Sequence, residues 1–537
     1  MTAARSPAYT AIACLLAAGV VTFGLVYRTG AASGADAYGY VSEADLWRAG
    51  TLHIPQEFVK QLPWPDPELT ATPIGYRPAA TTEVGPIVPW YSAGLPMLLA
   101  VAKTVGGQAA MFWVVPLFGG LLVIATFFIG RRVGGAGVGL AAAFLVALSP
   151  IVLFMTLFPM TDVVVAATWA AATWAALGDS RRRAGVAGLL AGLAILIRPN
   201  LVAVGLLMGV WMIARDARRG PRWWSADRAA LFALASAPGI AIVMLVNRAL
   251  YGSPFVSGYG TLGSVLHWAN ILPNLRHYAS WMSSSETPVI ALGLVALALP
   301  VAAVWRDRDR AFDAALLTLV AVGTLSCYLL FMPLDEWWYL RFLMTMWPGV
   351  FVGLSWWLFR NAGPARRILA AALVIAIGAH SVWFAQQRRM TKAAEGERRS
   401  ITAAHLVRDR TEPNSAVFAY THSGSVRYYG ERMTLRYDQI APEWLDPGVA
   451  WLTARGVHPY LLVEAWELEQ WKARFGPTSA RGRMNMRVVF ELQWPTHMWL
   501  FDLAAPASDS WPVILGYDRP PVPRSVPPAA APALVLR

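Results

Sequence analysis

Apolar runs of membrane-spanning length, parted by short arginine clusters, constrain this chain more than any other feature. A bilayer core is crossed by roughly 20 apolar residues, and a backbone in lipid must satisfy its own hydrogen bonds, so each run reads as a helix. Eleven runs fall at approximately 8–28, 110–130, 136–157, 160–178, 184–197, 199–215, 229–250, 288–305, 311–333, 340–360 and 366–385. The breaks between them carry Arg131-Arg132, Arg181-Arg182-Arg183, Arg215 to Arg228, Arg306 to Arg310, and Arg360 to Arg367. With the N-terminus inside, all five breaks lie on the cytoplasmic side, as the positive-inside rule requires.

Composition agrees. Charged residues are 14% of the chain and hydrophobic ones 56%, against about 25% charged in soluble domains. The inter-span clusters account for the net charge of +13, and no Lys/Arg stripe interleaved with aromatics offers a nucleic-acid groove. Cys14 and Cys327 sit in apolar runs and read as small buried hydrophobes rather than a disulfide or metal ligands. Ala35-Asp36-Ala37 loosely fits a signal-peptide cleavage site. The run before it exceeds the roughly 7–15 residues of an h-region, so it reads as an uncleaved first span.

This topology has consequences. The run from Val88 to Val105 cannot cross and reads as a helix at the outer interface, with Trp90 and Tyr91 at headgroup level. The fifth and sixth runs are short and meet at Arg198-Pro199-Asn200, a tight hairpin, because proline cannot continue a helix interior. An odd number of spans puts the rest of the chain outside. There the apolar runs shorten to strand length at Ala416–Tyr420, Met433–Leu435, Tyr460–Val463 and Arg487–Phe490, with a helical pattern at Ala465–Phe475. The expected fold is an all-α polytopic membrane protein of about eleven transmembrane helices with a C-terminal extracytoplasmic α/β domain. Its expected parts are a first span at 1–28, an extracytoplasmic loop at 29–109, a bundle at 110–386, the α/β domain at 387–518 and a Pro/Ala-rich tail at 519–537. No internal repeat suggests a carrier with inverted halves.

Ionisable residues then gather near one leaflet: Asp36, Glu43, Arg77, Glu83, Asp162, Arg198, Asp335, Glu336 and Arg341. Charges at membrane depth are costly and are paired or functional. A carboxylate beside arginines suits a particular chemistry. The carboxylate takes a proton from an acceptor hydroxyl, while the guanidinium groups hold a phosphate and stabilise its charge as it leaves a sugar carbon. Structural readings stand beside these. Asp36 and Asp162 suit helix caps, and Arg198 could snorkel to headgroups. Arg341 could pair with Asp335 or Glu336, and Glu43 could be solvated. Trp337 and Trp338 read as interface anchors, and the histidines show no metal-ligand spacing.

Several pieces together resemble the C-type (GT-C) membrane glycosyltransferases, in the style of protein O-mannosyltransferases and bacterial aminoarabinose transferases. They are Gly34-Ala35-Asp36-Ala37-Tyr38-Gly39-Tyr40, Pro89-Trp90-Tyr91-Ser92-Ala93-Gly94-Leu95-Pro96, Ser149-Pro150 through Thr161-Asp162, and Ala187–Leu193 leading to Arg198-Pro199-Asn200. Asn247 through Tyr259 and Tyr339-Leu340-Arg341-Phe342 complete the set. The resemblance covers about residues 8–386. It implies inverting transfer of a hexose or pentose from a polyprenyl-phosphate donor to a glycan, lipid or protein acceptor, on the outer face of a bacterial inner (plasma) membrane. Asp36 matches the family's first-loop catalytic acid and Asp162 a second acid. Arg198, Arg341, Arg77 and Tyr259 become candidates for binding the donor, with Glu43 and Glu83 as further candidates. Many members have two adjacent acids where this chain has Asp36-Ala37, which leaves metal dependence open. The rival reading is a transporter or flippase of lipid-linked saccharides. The segment Thr421–Gly430 resembles tails of uncharacterised bacterial members, and recognition of a small ligand or acceptor is the hypothesis attached to it.

Overall fold

A computed structural model describes residues 6–80, 85–218, 226–299, 308–360, 363–484, 486–493, 496–505 and 514–515. The expected tail at 519–537 lies outside them. Helix α1 (Ser6–Tyr27) leads into the first long loop. This loop folds as α2 (Asp36–Ala49), the short α3 (Pro67–Thr70), an antiparallel ribbon of β1 (Tyr76–Pro78) and β2 (Ile87–Pro89), and α4 (Gly94–Met111). The bundle continues through α5 (Val114–Gly134), α6 (Ala136–Leu148), α7 (Pro150–Thr156), α8 (Thr161–Ala176), α9 (Arg181–Ile197), α10 (Val202–Ala217) and α11 (Asp227–Tyr251). It ends with α12 (Ile271–Ser285), α13 (Ala291–Ala298), α14 (Arg308–Leu329), α15 (Trp347–Phe359) and α16 (Pro364–Gln387).

Among the described residues seven helices are long and apolar enough to cross a membrane, and up to nine if the bent pairs built on α6–α7 and α12–α13 each count once. Each of the eleven expected runs coincides with a helix. However, α8 and α9 have 16 and 17 residues, and the run at 288–305 is described only to 299. The break at Ser149-Pro150 bends α6 against α7 by 57°. The hairpin is as expected: α9 ends at Ile197, and a 3₁₀ turn, Pro199–Leu201, starts the return. α9 and α11 approach closely because Gly192 faces Gly239; a Cβ on Gly239 would lie 2.1 Å from the Gly192 carbonyl oxygen.

Four of the five basic breaks meet at one end of the bundle. Arg132 Nε lies 3.3 Å from Asp313, and Arg215 bridges Asp179 at 3.1 Å and Asp313 at 3.3 Å. Arg228 lies 2.6 Å from Asp216, and Arg181 pairs with Asp227. α8 runs from Asp162 toward this end, and α9 runs back from it to Arg198, so those two residues lie at the opposite end.

Three expectations change. The run from Val88 is not helical throughout: it opens in strand β2, Ile87–Pro89, and the helix begins at Gly94. Ile271–Ser285, which lies between two of the apolar runs and belongs to neither, is a helix burying Asn274, Tyr278, Met282 and Ser285 on one face. Its polar residues hid it from a hydropathy reading, although the i, i+4, i+8 spacing is helical. Cys14 is exposed rather than buried, because the first span meets the protein along only part of its surface; Cys327 is intermediate, and both thiols are free.

The C-terminal region adds α17 (Ala393–Arg410), β3 (Ser415–Phe418), α18 (Ser423–Gly430), β4 (Met433–Leu435), α19 (Leu445–Ala454), β5 (His458–Glu464), α20 (Ala465–Phe475), β6 (Arg487–Leu492), β7 (Met498–Asp502) and β8 (Ile514–Leu515). The mixed sheet has the order β4-β3-β5-β7-β6-β8. All four expected strands and the expected helix are present. The first loop is part of this unit: Phe58, Val59, Leu62, Trp64 and Ala71 share its hydrophobic core with Phe418, Trp471 and Phe475.

Candidate active site

α2 begins at Asp36 and stops at Gly50, whose left-handed conformation lets its N–H close onto the carbonyls of Leu46 and Trp47. Asp36 in the first turn and Arg48 in the last complement the helix dipole. Both oxygens of Asp36 have side-chain partners. Tyr91 Oη donates to Oδ1 at 2.6 Å, and Arg341 Nη2 donates to Oδ2 at 2.9 Å. Tyr91 reaches this position because residue 39 is glycine. A Cβ there would lie 2.5 Å from the Tyr91 ring.

Arg341 sits in a ten-residue 3₁₀ segment, Trp337–Met346, that runs directly into α15. It does not pair with Asp335 or Glu336. Its Nη2 binds Asp36, its Nη1 meets Met160 Sδ at 3.0 Å, and its Nε lies 3.9 Å from Asp162 Oδ1. That Nε is buried with no hydrogen-bond acceptor, a deficit that calls for an explanation such as ligand binding or catalysis. Asp162, 1% exposed on the first turn of α8, accepts from Arg198 Nη2 at 2.7 Å. Arg198 Nη1 donates to Tyr328 Oη at 3.2 Å, and its guanidinium lies over Phe342 at 5.4 Å. Two carboxylates and two guanidinium groups therefore alternate as Asp36–Arg341–Asp162–Arg198, assembled from positions as far as 305 residues apart. The quartet is charge-balanced.

Partial burial pushes the Asp36 carboxyl up. The charge of Arg341, hydrogen bonds from Tyr91 and Arg341, and the charge of Arg198 outweigh this and hold it below the usual carboxylate range. It is ionised at neutral pH. A wall of aromatics flanks it. The Tyr40 and Tyr91 ring centroids are 4.7 Å apart, and Tyr259 packs edge-on against Tyr91 at 6.3 Å and Trp90 at 5.9 Å. Beyond Tyr91 lies a narrow cleft lined by Trp90, Tyr91, Asn247, Tyr251 and Tyr259.

Other candidates lie apart from the quartet. Arg77 donates to the carbonyls of Ser257 (3.2 Å) and Gly258 (2.9 Å), which holds the turn that carries Tyr259. Glu43 is not solvated: it is 1% exposed, accepts from Trp47 Nε1 at 3.0 Å, and leaves Oε2 without a partner. Burial pushes it up to about 8. Glu83 lies outside the described residues. Sequence reasoning treated Tyr91 as an interface anchor and passed over Tyr40 and Tyr328. The available signal was the aromatic repetition in Tyr38-Gly39-Tyr40 and Trp90-Tyr91. The segment Thr421–Gly430 is no open recognition surface: Arg427 is 5% exposed and donates to Gln56, Ala71 and Thr434. Among the described residues no group of three or more His, Cys, Asp or Glu could hold a metal ion.

Residues 59–162 match the family model "Oligosaccharyl transferase STT3, N-terminal", a stretch that ends on Asp162. No curated protein matches the chain significantly. Solved structures do. ArnT from Cupriavidus metallidurans, crystallised with undecaprenyl phosphate, is 12% identical with a TM-score of 0.56, over 90% of this chain and 97% of its own. The apo oligosaccharyltransferase of Archaeoglobus fulgidus is 11% identical with a TM-score of 0.54, over 96% of this chain and 76% of its own. AglB from Archaeoglobus fulgidus, in complex with an inhibitory peptide and a dolichol-phosphate, is 10% identical with a TM-score of 0.54, over 93% and 74%. Across 90–96% of the chain these likenesses, at TM-scores of 0.54–0.56, show that this protein has the fold shared by ArnT and the archaeal oligosaccharyltransferase, that of the C-type membrane glycosyltransferases.

Proposed function

We propose that this protein is a membrane glycosyltransferase that moves a sugar from a polyprenyl-phosphate donor to a hydroxyl of a glycan, lipid or protein acceptor. The observation that carries the reading is the quartet: an ionised carboxylate, Asp36, held by Arg341, with Asp162 and Arg198 completing the set. The acceptor oxygen attacks the anomeric carbon as the bond from that carbon to the phosphate oxygen breaks. The hydroxyl proton passes to Asp36, and the electron pair of the broken bond leaves with polyprenyl phosphate. Because attack and departure occur on opposite faces, the anomeric configuration inverts.

Asp36 is a weak base, which suits this reaction. In an oxocarbenium-like transition state the acceptor hydroxyl becomes strongly acidic only as its bond to carbon forms. Arg341 and Arg198 stabilise the phosphate as its charge grows. Asp162 orients both guanidinium groups and offsets their mutual repulsion.

The orientation belongs to the same reading. Four of the five basic breaks gather at one bundle end, which under the positive-inside rule supports a quartet that faces away from the cytoplasm. A carrier would hold its charges at mid-membrane in broken helices; here they stand at helix ends. The test is transfer by the purified protein in lipid nanodiscs, supplied with polyprenyl-phosphate sugars and hydroxyl acceptors. Product of inverted anomeric configuration supports the reading; retained configuration overturns the single displacement.

A further inference from the structure

The segment Thr421–Gly430 takes no part in the chemistry above. Its helix, α18, lies in the C-terminal domain, yet its side chains run into the first loop around Asp36. Tyr429 Oη accepts the N–H of Ala32 at 2.8 Å, four residues before Asp36. Tyr428 Oη donates to Asp45 Oδ2 at 2.8 Å, and Asp45 is also paired with Lys103 of α4. Ser423 Oγ accepts the N–H of Ile74 at 3.1 Å. Arg427 Nη1 donates to Gln56 at 2.8 Å, and Nη2 to the carbonyl of Ala71 at 2.5 Å. Gly424 lies directly against the ring of Tyr38, where a Cβ would stand 2.2 Å from Cδ1. The sheet side of the helix is also tied. His422 Nε2 lies 2.7 Å from Glu464 Oε1, which accepts from Arg399 Nε at 2.7 Å. Ser33, in the approach to α2, donates to Glu397 of α17.

Ala32 and Ser33 precede Asp36 and Tyr38 follows it, and all three meet the C-terminal domain. We infer that α18 is a positioning element for the catalytic helix, beside α4 which packs along it, with Gly424, Tyr428 and Tyr429 as positioning residues that act through Ala32, Tyr38 and Asp45 to hold Asp36 against Tyr91 and Arg341. The inference rests on the proposed transfer reaction for its functional meaning. The C-terminal domain is thereby a working part of the active site, although none of these residues touches the reacting atoms. Reacting groups displaced by about 1 Å lose on the order of 100-fold in rate, and Gly424→Ala forces a displacement of that size on Tyr38.

Full-length protein in nanodiscs tests this with Gly424→Ala and Tyr429→Phe, the second removing one oxygen and adding nothing. Steady-state transfer is measured across pH, together with hydrogen exchange of the peptide spanning Ala32–Ala49. The expected result is kcat lowered by about 10- to 100-fold in Gly424→Ala and less in Tyr429→Phe. Donor KM stays within about twofold, the acid limb of the rate profile moves upward as Asp36 leaves its partners, and exchange over Ala32–Tyr38 quickens. A lower thermal midpoint with unchanged kcat per folded molecule and an unchanged pH profile overturns the inference, as does unaltered exchange in both variants. If Gly424→Ala fails to fold, Tyr429→Phe decides alone. If the wild type transfers no sugar, the transferase reading falls, and exchange over Ala32–Ala49 still decides whether α18 holds α2.

Discussion

Arg341→Gln should do two separable things. Arg341 is 12% exposed and faces two carboxylates, Asp36 at 2.9 Å and Asp162 at 3.9 Å. At an effective dielectric of about 20, a unit pair near 4 Å is worth about 4 kcal/mol before desolvation. Removing one member of a buried pair typically costs about 3–5 kcal/mol because the other is left uncompensated. Asp162 keeps Arg198, so most of the effect falls on Asp36. That carboxyl is held down chiefly by Arg341 against the upward push of burial, so in the variant it rises. The sign follows. Wild-type transfer falls only as pH drops through a value below the ordinary 3.8; in Arg341→Gln the fall begins at higher pH. Loss of phosphate stabilisation lowers kcat by about 100- to 1000-fold at every pH. Arg341→Lys keeps the charge without the second arm, so its acid limb should move less. The assay is kcat/KM between pH 3 and 8 for the three proteins, with thermal midpoints recorded alongside. An acid limb at the same pH in wild type and Arg341→Gln would refute the coupling between Arg341 and Asp36.

Tyr91→Phe removes the 2.6 Å bond to Asp36; a bond to a charged group is worth about 1.5–3 kcal/mol, so kcat should fall about 10- to 150-fold, with a smaller upward move of the acid limb. Glu43 keeps its proton in the folded protein up to about pH 8 and loses it near 4.5 when unfolded. Stability should therefore decline as pH rises across that window, by up to about 1.4 kcal/mol per pH unit. Glu43→Gln should flatten the decline in thermal midpoints, and an unchanged slope would show that Glu43 is not its source. Asp36 and Asp162 both face arginines, so a divalent cation entering there would meet two guanidinium charges. Transfer is expected to survive EDTA, and activity lost to EDTA and restored by Mg²⁺ or Mn²⁺ would show that the carboxylates hold a metal.

The quartet was legible in the sequence because charge at the end of an apolar run is expensive. Asp36, Asp162, Arg198 and Arg341 stood out against their surroundings for that reason, and the arginine clusters placed them at one bundle end. Their partners were not legible. Arg341 has acids at 335 and 336, yet the fold turns it to residue 36, and nothing local in the chain distinguishes the two outcomes. Tyr91 looked like an interface anchor because its role depends on the missing Cβ of Gly39. Gly424 likewise acquires meaning only when Tyr38 is laid against it. The α/β domain could be read from short apolar runs. That Phe58 to Ala71 would complete its core could not, since a buried aromatic does not declare which layer it joins. Helix α12 escaped because it covers its buried stripe with serine, histidine and arginine.

The most direct measurement is donor binding and transfer by Asp36→Asn, side by side, in the same nanodisc preparation. Asparagine keeps the shape and can still accept from Arg341, but it cannot take a proton. The account predicts donor affinity within about threefold of wild type and transfer reduced by about 100- to 10,000-fold, the range a positioned base supplies. Transfer near the wild-type rate would contradict it, because the carboxylate at the centre of the quartet would then have no part in the chemistry.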